Sequence, residues 1–305
     1  CVSGLWLLDE SRTCVEIQLG PFLVEPSRWL NHHDGTSCFN SRDILLIIYI
    51  YIYIYIYLSL IIKHGSLLLY KKRPTEFGMN QVLRPFHNEK FNFTKVKPEE
   101  VIFRFQETEN DSARYFDGAP PTISASPSSI LINVSPIGYC HVLLIPQVQE
   151  CLRQRVDQES FLLAMYVAKE ARNPFIRVVY KSLGAFATIN HLHFQAYYLK
   201  VQYPVEKAPT EELTVCDRRS GFVFEGGAGL EDLSQVVSNA CIFLQENNRP
   251  FNVLISESAK RVFLLLQCYA EKQTSGKASQ EFLNMTINPA VWELNGHLVL
   301  KRRKD

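Results

Sequence analysis

The chain has 305 residues, 47% of them hydrophobic, and its 32 basic and 31 acidic side chains leave a net charge of +1. That apolar fraction can build a sizeable core in one or two domains, and near-neutrality excludes a protein made to coat nucleic acid or an anionic membrane. The eight cysteines form no Cys-x-x-Cys pair, which is the usage of a reducing, cytoplasmic compartment and excludes a disulfide framework or a zinc ribbon.

Residues 1–40 show little periodicity. The chain opens on Cys1 without a basic-then-apolar leader and closes on Lys301-Arg302-Arg303-Lys304-Asp305, so it reads as a fragment. The basic tetrad reads as a solvated tail, with nuclear entry as the second reading. From Ile44 to Ile62 the chain is long and apolar enough for a membrane span. Its Tyr–Ile alternation is low-complexity, however, and would set a phenol at every second position of a bilayer centre. Tyr and Ile codons alternate when a TA dinucleotide repeat is translated. We therefore read this run as translated non-coding DNA and expect no membrane anchor. Residues 1–66 are set apart on this basis, and the globular domain is expected to occupy 67–305.

Within that domain, Val101-Ile102-Phe103-Arg104-Phe105 alternates like a half-buried strand. Asn110 to Ser129 is rich in Ser, Pro, Asp and Gly and reads as a loop. Ile130 to Val134 and His141 to Ile145 read as two strands joined at hairpin spacing. Asn133 interrupts the first and needs a hydrogen-bond partner. Asp157 is placed to cap a helix that runs to Ala171 before Asn173-Pro174. Gly226-Gly227-Ala228-Gly229 lacks the lysine and spacing of a P-loop. The helix expected after it carries an apolar stripe of Leu230, Leu233, Val236, Val237, Ala240, Cys241 and Leu244. Phe251 to Ile255 and Arg261 to Leu266 form a strand pair across a short loop, and Trp292 to Leu300 reads as a last strand. His297-Leu298-Val299-Leu300 echoes His141-Val142-Leu143-Leu144, a hint of a duplicated half. Strand runs with interspersed helices predict an α+β fold around an antiparallel sheet.

The richest stretch lies between Ala187 and Leu199. His191, His193 and Gln195 alternate with Leu192, Phe194 and Ala196, so a strand here puts two imidazoles and an amide on one face. Positions two apart on a strand are about 7 Å apart, close enough for two side chains to grip one phosphate-sized group. No carboxylate or cysteine stands at ligand spacing to complete a zinc set, so no metal is expected. The small residues of Ser182-Leu183-Gly184-Ala185 just upstream would let a ligand approach the backbone.

His191-Leu192-His193-Phe194-Gln195 resembles the active-site strand of the histidine-triad superfamily, in the branch where Gln takes the third histidine's place, as in hexose-1-phosphate nucleotidyltransferases. Ile132-Asn133-Val134-Ser135-Pro136, followed by His141-Val142-Leu143-Leu144-Ile145-Pro146, resembles the strand pair preceding it. Lys71-Lys72-Arg73-Pro74-Thr75-Glu76-Phe77, Lys90-Phe91-Asn92-Phe93-Thr94-Lys95-Val96, Ser182 to Thr188 and Asn288-Pro289-Ala290-Val291-Trp292-Glu293 are similar to the plant GDP-L-galactose phosphorylases of the L-galactose route to ascorbate. The resemblance runs from about Lys71 to the C-terminus. It departs from the pattern at Cys140, where the superfamily has Gly, in a shorter Thr210 to Gly221, and in lacking the family's region beyond Asp305.

What the resemblance implies is a histidine-triad-like catalytic domain that takes a GDP-hexose and inorganic phosphate, with no cofactor. His193 would be the nucleophile on the α-phosphorus, His191 would steady the phosphate, and Gln195 would hydrogen-bond a phosphate oxygen. Asn133, His141, Ser182, Gly184 and Asn190 are expected to line the substrate site. The competing readings are a GDP-D-glucose phosphorylase, a hexose-1-phosphate nucleotidyltransferase, or an inactive nucleotide-binding remnant. A triad-type hydrolase fits less well because position 195 is not His.

Overall fold

Among the described residues, eight short strands pair into one antiparallel sheet: β1 (Val101–Arg104), β2 (Ser129–Ile132), β3 (Tyr139–Ile145), β4 (Ile176–Lys181), β5 (Phe194–Tyr198), β6 (Gly221–Glu225), β7 (Phe251–Ser256) and β8 (Arg261–Leu266). Their order across the sheet is β1-β2-β3-β5-β4-β7-β8-β6. The computed structural model describes residues 82–105, 126–134, 136, 139–207, 221–226, 229–267, 269, 272, 276, 277 and 290–296. The chain divides into Cys1–Phe39 and Asn40–Asp305, and all described residues lie in the second unit. The Tyr–Ile run and His297 to Leu300 fall outside them. No helix among the described residues is long and apolar enough to cross a membrane.

Two long helices cover one face of the sheet. Helix α1 (Gln158–Glu170) starts where Asp157 accepts a hydrogen bond from the Ser160 N–H, the cap expected from sequence. Among the described residues two shorter helices also occur, α2 (Pro204–Lys207) before α3 (Leu230–Glu246), and α4 (Val291–Leu294) after β8. Helices α1 and α3 pack on each other and on the strands. They bury Phe161, Met165, Val237 and Cys241 against Val142, Phe194, Val178, Val253 and Leu264. The order helix–strand–strand therefore occurs twice, as α1-β4-β5 and α3-β7-β8, with β4 and β7 paired antiparallel in the middle.

The opposite face carries two separate apolar clusters. One groups Phe93, Leu131, Leu143, Ile145 and Val148. The other groups Val179, Tyr197, Tyr203, Leu254, Phe263, Val291 and Trp292. Because side chains alternate along each strand, Lys181, Gln195 and Asn252 share this face with those clusters.

Three expectations are corrected, and two strands are added. The strand drawn through Ala187 to Leu199 begins only at Phe194, so His191 and His193 lie on its approach. Trp292 to Leu294 belong to helix α4, because the Glu293 carboxylate accepts from the Ala290 N–H and closes a helical turn. Val236 is exposed, leaving Leu233, Val237 and Cys241 as the buried core of the α3 stripe. The first helix's partner strand, β4, and the edge strand β6 were not anticipated at all.

Candidate active site

The histidine run is held by a side chain, not by a strand ladder. Gln154 is fully buried; its Oε1 accepts from the His193 N–H at 2.9 Å, and its Nε2 donates to the carbonyls of His193 (3.1 Å) and Lys181 (2.9 Å). Its backbone is pinned in turn, the carbonyl by the Tyr180 hydroxyl at 2.8 Å and the N–H by Asn190 Oδ1 at 3.1 Å. The amide thus does for His193 what a neighbouring strand would do, and buried backbone groups stay satisfied where the ladder stops.

The same run fixes the protonation pattern of both rings. His191 Nδ1 accepts from the Phe93 N–H at 3.1 Å, which puts the proton of neutral His191 on Nε2. That Nε2 is buried and has no partner. His193 Nδ1 lies 2.8 Å from the His191 carbonyl oxygen. A carbonyl only accepts, so His193 donates from Nδ1 and keeps a lone pair on Nε2. Phe93 packs its ring 5.4 Å from His191 and 5.2 Å from His193, and Phe86 meets His191 edge-on at 5.8 Å. Burial among these rings lowers His191 to about 4 and His193 to about 3, with nearby Lys181 a smaller contributor at His193. Both imidazoles are neutral near pH 7.

Gln195 faces the β3 histidine across a bulge. The β3–β5 register shifts between Tyr139 and Val142, where Cys140 takes a left-handed φ of 54°. His141 Nε2 then sits 3.1 Å from Gln195 Oε1 and 2.9 Å from Asn133 Nδ2. One ring nitrogen cannot donate and accept at once. With its proton on Nε2, His141 donates to Gln195 Oε1. His141 itself is lowered to about 4 by burial, and its ring meets Trp292 edge-on at 5.9 Å.

The structure thus brings His191, His193, Gln195, His141 and Asn133 together. It gives Ser182 and Asn190 internal partners. The Ser182 hydroxyl accepts from the Phe251 N–H at 2.9 Å. Asn190 donates to the carbonyls of Arg84 (3.2 Å) and Pro85 (2.8 Å) while accepting from Gln154. Ser182 thereby ties the end of β4 to Phe251, and Asn190 ties the histidine run to Arg84, Pro85 and Gln154. Gly184 sits in the following turn with a φ of 81°, a conformation glycine adopts without strain. Sequence reasoning missed Gln154, Phe93, Lys181 and Asn252. Of these only Asn252 left a signal, a lone amide inside the apolar Phe251 to Ile255.

The GDPGP1-like N-terminal domain matches residues 56–197, and the GDPGP1-like C-terminal domain matches residues 204–305. The chain belongs to the GDPGP1-like family. In this GDPGP1-like chain the first match takes in the whole histidine run, and the second takes in α2, β6, α3, β7, β8 and α4. GDP-L-galactose phosphorylase 1 of Arabidopsis thaliana is 52% identical to it over 246 residues, 77% of this chain and 56% of that protein. GDP-D-glucose phosphorylase 1 of Homo sapiens is 29% identical over 259 residues, 77% of this chain and 63% of that protein. The chain therefore spans a little over half the length of its Arabidopsis relative. The crystal structure of yeast Ap4A phosphorylase Apa2 superposes with a TM-score of 0.48 at 16% identity, covering 70% of this chain and 73% of that one.

Proposed function

We propose that residues 67–305 form a GDP-hexose phosphorylase that converts GDP-L-galactose and inorganic phosphate to L-galactose 1-phosphate and GDP, on the route to ascorbate. The observation that carries this reading is the His193 ring, neutral and held by the His191 carbonyl so that its lone pair is on Nε2. A neutral imidazole is a competent nucleophile toward phosphorus. His193 Nε2 bonds to the α-phosphorus, the bond from that phosphorus to the bridging oxygen breaks, and hexose 1-phosphate leaves with the electron pair. The positive charge that develops on the guanylylated ring is stabilised at Nδ1–H by the His191 carbonyl. The unpartnered His191 Nε2–H and the Gln195 amide donate to the α-phosphate oxygens. An oxygen of inorganic phosphate then attacks the same phosphorus, the N–P bond breaks, and GDP is released. The 52% identity to the Arabidopsis GDP-L-galactose phosphorylase, against 29% to the human GDP-D-glucose phosphorylase, supports L-galactose as the hexose. We place the reaction in the cytoplasm.

The test incubates the full chain with GDP-L-galactose or GDP-D-glucose, with and without phosphate. GDP and hexose 1-phosphate should form only when phosphate is present, and faster from GDP-L-galactose. Release of GMP in phosphate-free buffer at a comparable rate would identify a hydrolase instead.

A further inference from the structure

Asn252 lies in the middle of the β4–β7–β8 sheet, fully buried, with neither amide atom hydrogen-bonded. Buried polar groups are almost always paired, and one that is not calls for an explanation. Its position supplies one. Asn252 is the register partner of Lys181 on β4. Gln154 Nε2 donates to the carbonyls of both Lys181 and His193, so the two residues stand on either side of that amide. Lys181 is within electrostatic reach of His193, His141 and Glu293. His193, Lys181 and Asn252 therefore follow one another from the histidine run through β4 to β7. Lys181 and Asn252 are one strand spacing apart, about 4.8 Å.

We propose that this row is read by the substrate in order, with the α-phosphate at His193, the next phosphate at Lys181 and the hexose at Asn252. The inference rests on the phosphorylase reading. A cation within electrostatic reach of the nucleophile suits the charged group next to the reacting phosphorus, which is the phosphate that leaves. The opposite orientation would set a neutral ribose against the ammonium. An amide with both a donor and an acceptor unpartnered is matched by a sugar hydroxyl, which offers both, whereas a phosphate dianion offers acceptors alone. Asn252 is thereby assigned as a hexose contact and a source of discrimination between hexoses, because a site built to bond a hydroxyl rejects substrates that misplace it.

Asn252→Leu tests this in the full chain. The substitution removes an unpartnered buried amide for an apolar group of similar size, so thermal stability should hold or rise. In a two-step mechanism each kcat/KM reports only its own half-reaction. The kcat/KM for GDP-L-galactose should fall by roughly 10- to 100-fold, that for phosphate should stay unchanged, and the preference over GDP-D-glucose should shrink. Equal losses for both substrates, or a kcat/KM for GDP-L-galactose within about twofold of the parent, would overturn the assignment. If the parent chain does not turn over, titration calorimetry with L-galactose 1-phosphate decides separately. Binding that Asn252→Leu abolishes keeps the hexose subsite while the phosphorylase reading fails, and no binding by the parent removes the subsite too.

Discussion

His193 Nδ1 lies 2.8 Å from the carbonyl oxygen of His191, two residues earlier in the chain. This short loop of chain decides which nitrogen of His193 can act as a nucleophile, and the surrounding burial decides that the ring is neutral.

The first consequence is a pH dependence. His193 is lowered to about 3, and His191 and His141 to about 4, from an unfolded value of 6.5. Below pH 6.5 the unfolded chain takes up protons that these folded sites refuse, so their contribution to stability is complete above 6.5 and is lost as pH falls toward 4. The urea midpoint should therefore drop steadily between pH 7 and 5. Over the same range, the rate of guanylyl-enzyme formation from GDP-L-galactose should stay flat while the protein is folded. A tenfold decline centred on pH 6.5 would mean that the attacking imidazole is solvated.

Gln154 is expected to position His193 without touching substrate. Gln154→Ala leaves the N–H and carbonyl of His193 buried without partners and should cost about 2–4 kcal/mol in denaturant unfolding. In the folded variant, kcat should fall more than KM rises. Gln154→Glu keeps the acceptor for the His193 N–H but turns a carboxylate toward two carbonyls, and should be no better than Ala.

Much of this arrangement was legible in the sequence, and the misses have physical causes. The period-two pattern of His191, His193 and Gln195 predicted a strand from Ala187, but the strand begins only at Phe194, where Gln154, far away in sequence, takes over from a neighbouring strand. Strand β4 was hidden by Arg177, whose charge breaks an otherwise apolar run. The fold tolerates it because Glu206, Phe175, Leu199 and Val201 accept its hydrogen bonds. Trp292-Glu293-Leu294 alternates like a strand, and only the reach of Glu293 back to Ala290 makes it a helix. Asn252 was visible by the same reasoning that singled out Asn133.

The Arg177–Glu206 pair is 2.7 Å apart, with both side chains about 1% exposed. It ties the Leu199 to Lys207 segment to β4, and Arg177 also stacks on the Tyr203 ring at 4.8 Å. Glu206→Gln or Arg177→Met alone should lower stability by about 3–5 kcal/mol, since each strands a buried partner. The double variant Arg177→Met/Glu206→Leu should lose less than the sum of the single losses. A double-mutant cycle in urea measures this coupling.

Cys140 holds a φ of 54° in the bulge that aims His141. A side chain in the left-handed region costs about 1–2 kcal/mol, offset in part by the greater unfolded freedom of Gly. Cys140→Gly should thus stabilise the fold by about 0.5–1 kcal/mol and raise Tm by roughly 2 °C. An unchanged or lower Tm would mean that the backbone at this position relaxes at no cost.

The most direct measurement incubates the full chain with GDP-L-galactose carrying a radiolabel on its α-phosphorus, in the absence of phosphate, and follows the label on the protein. An acid-labile label should appear on His193, leave as GDP when phosphate is added, and be absent from His193→Ala. Label retained in His193→Ala, or turnover by the parent without any labelled protein, would contradict covalent catalysis by His193.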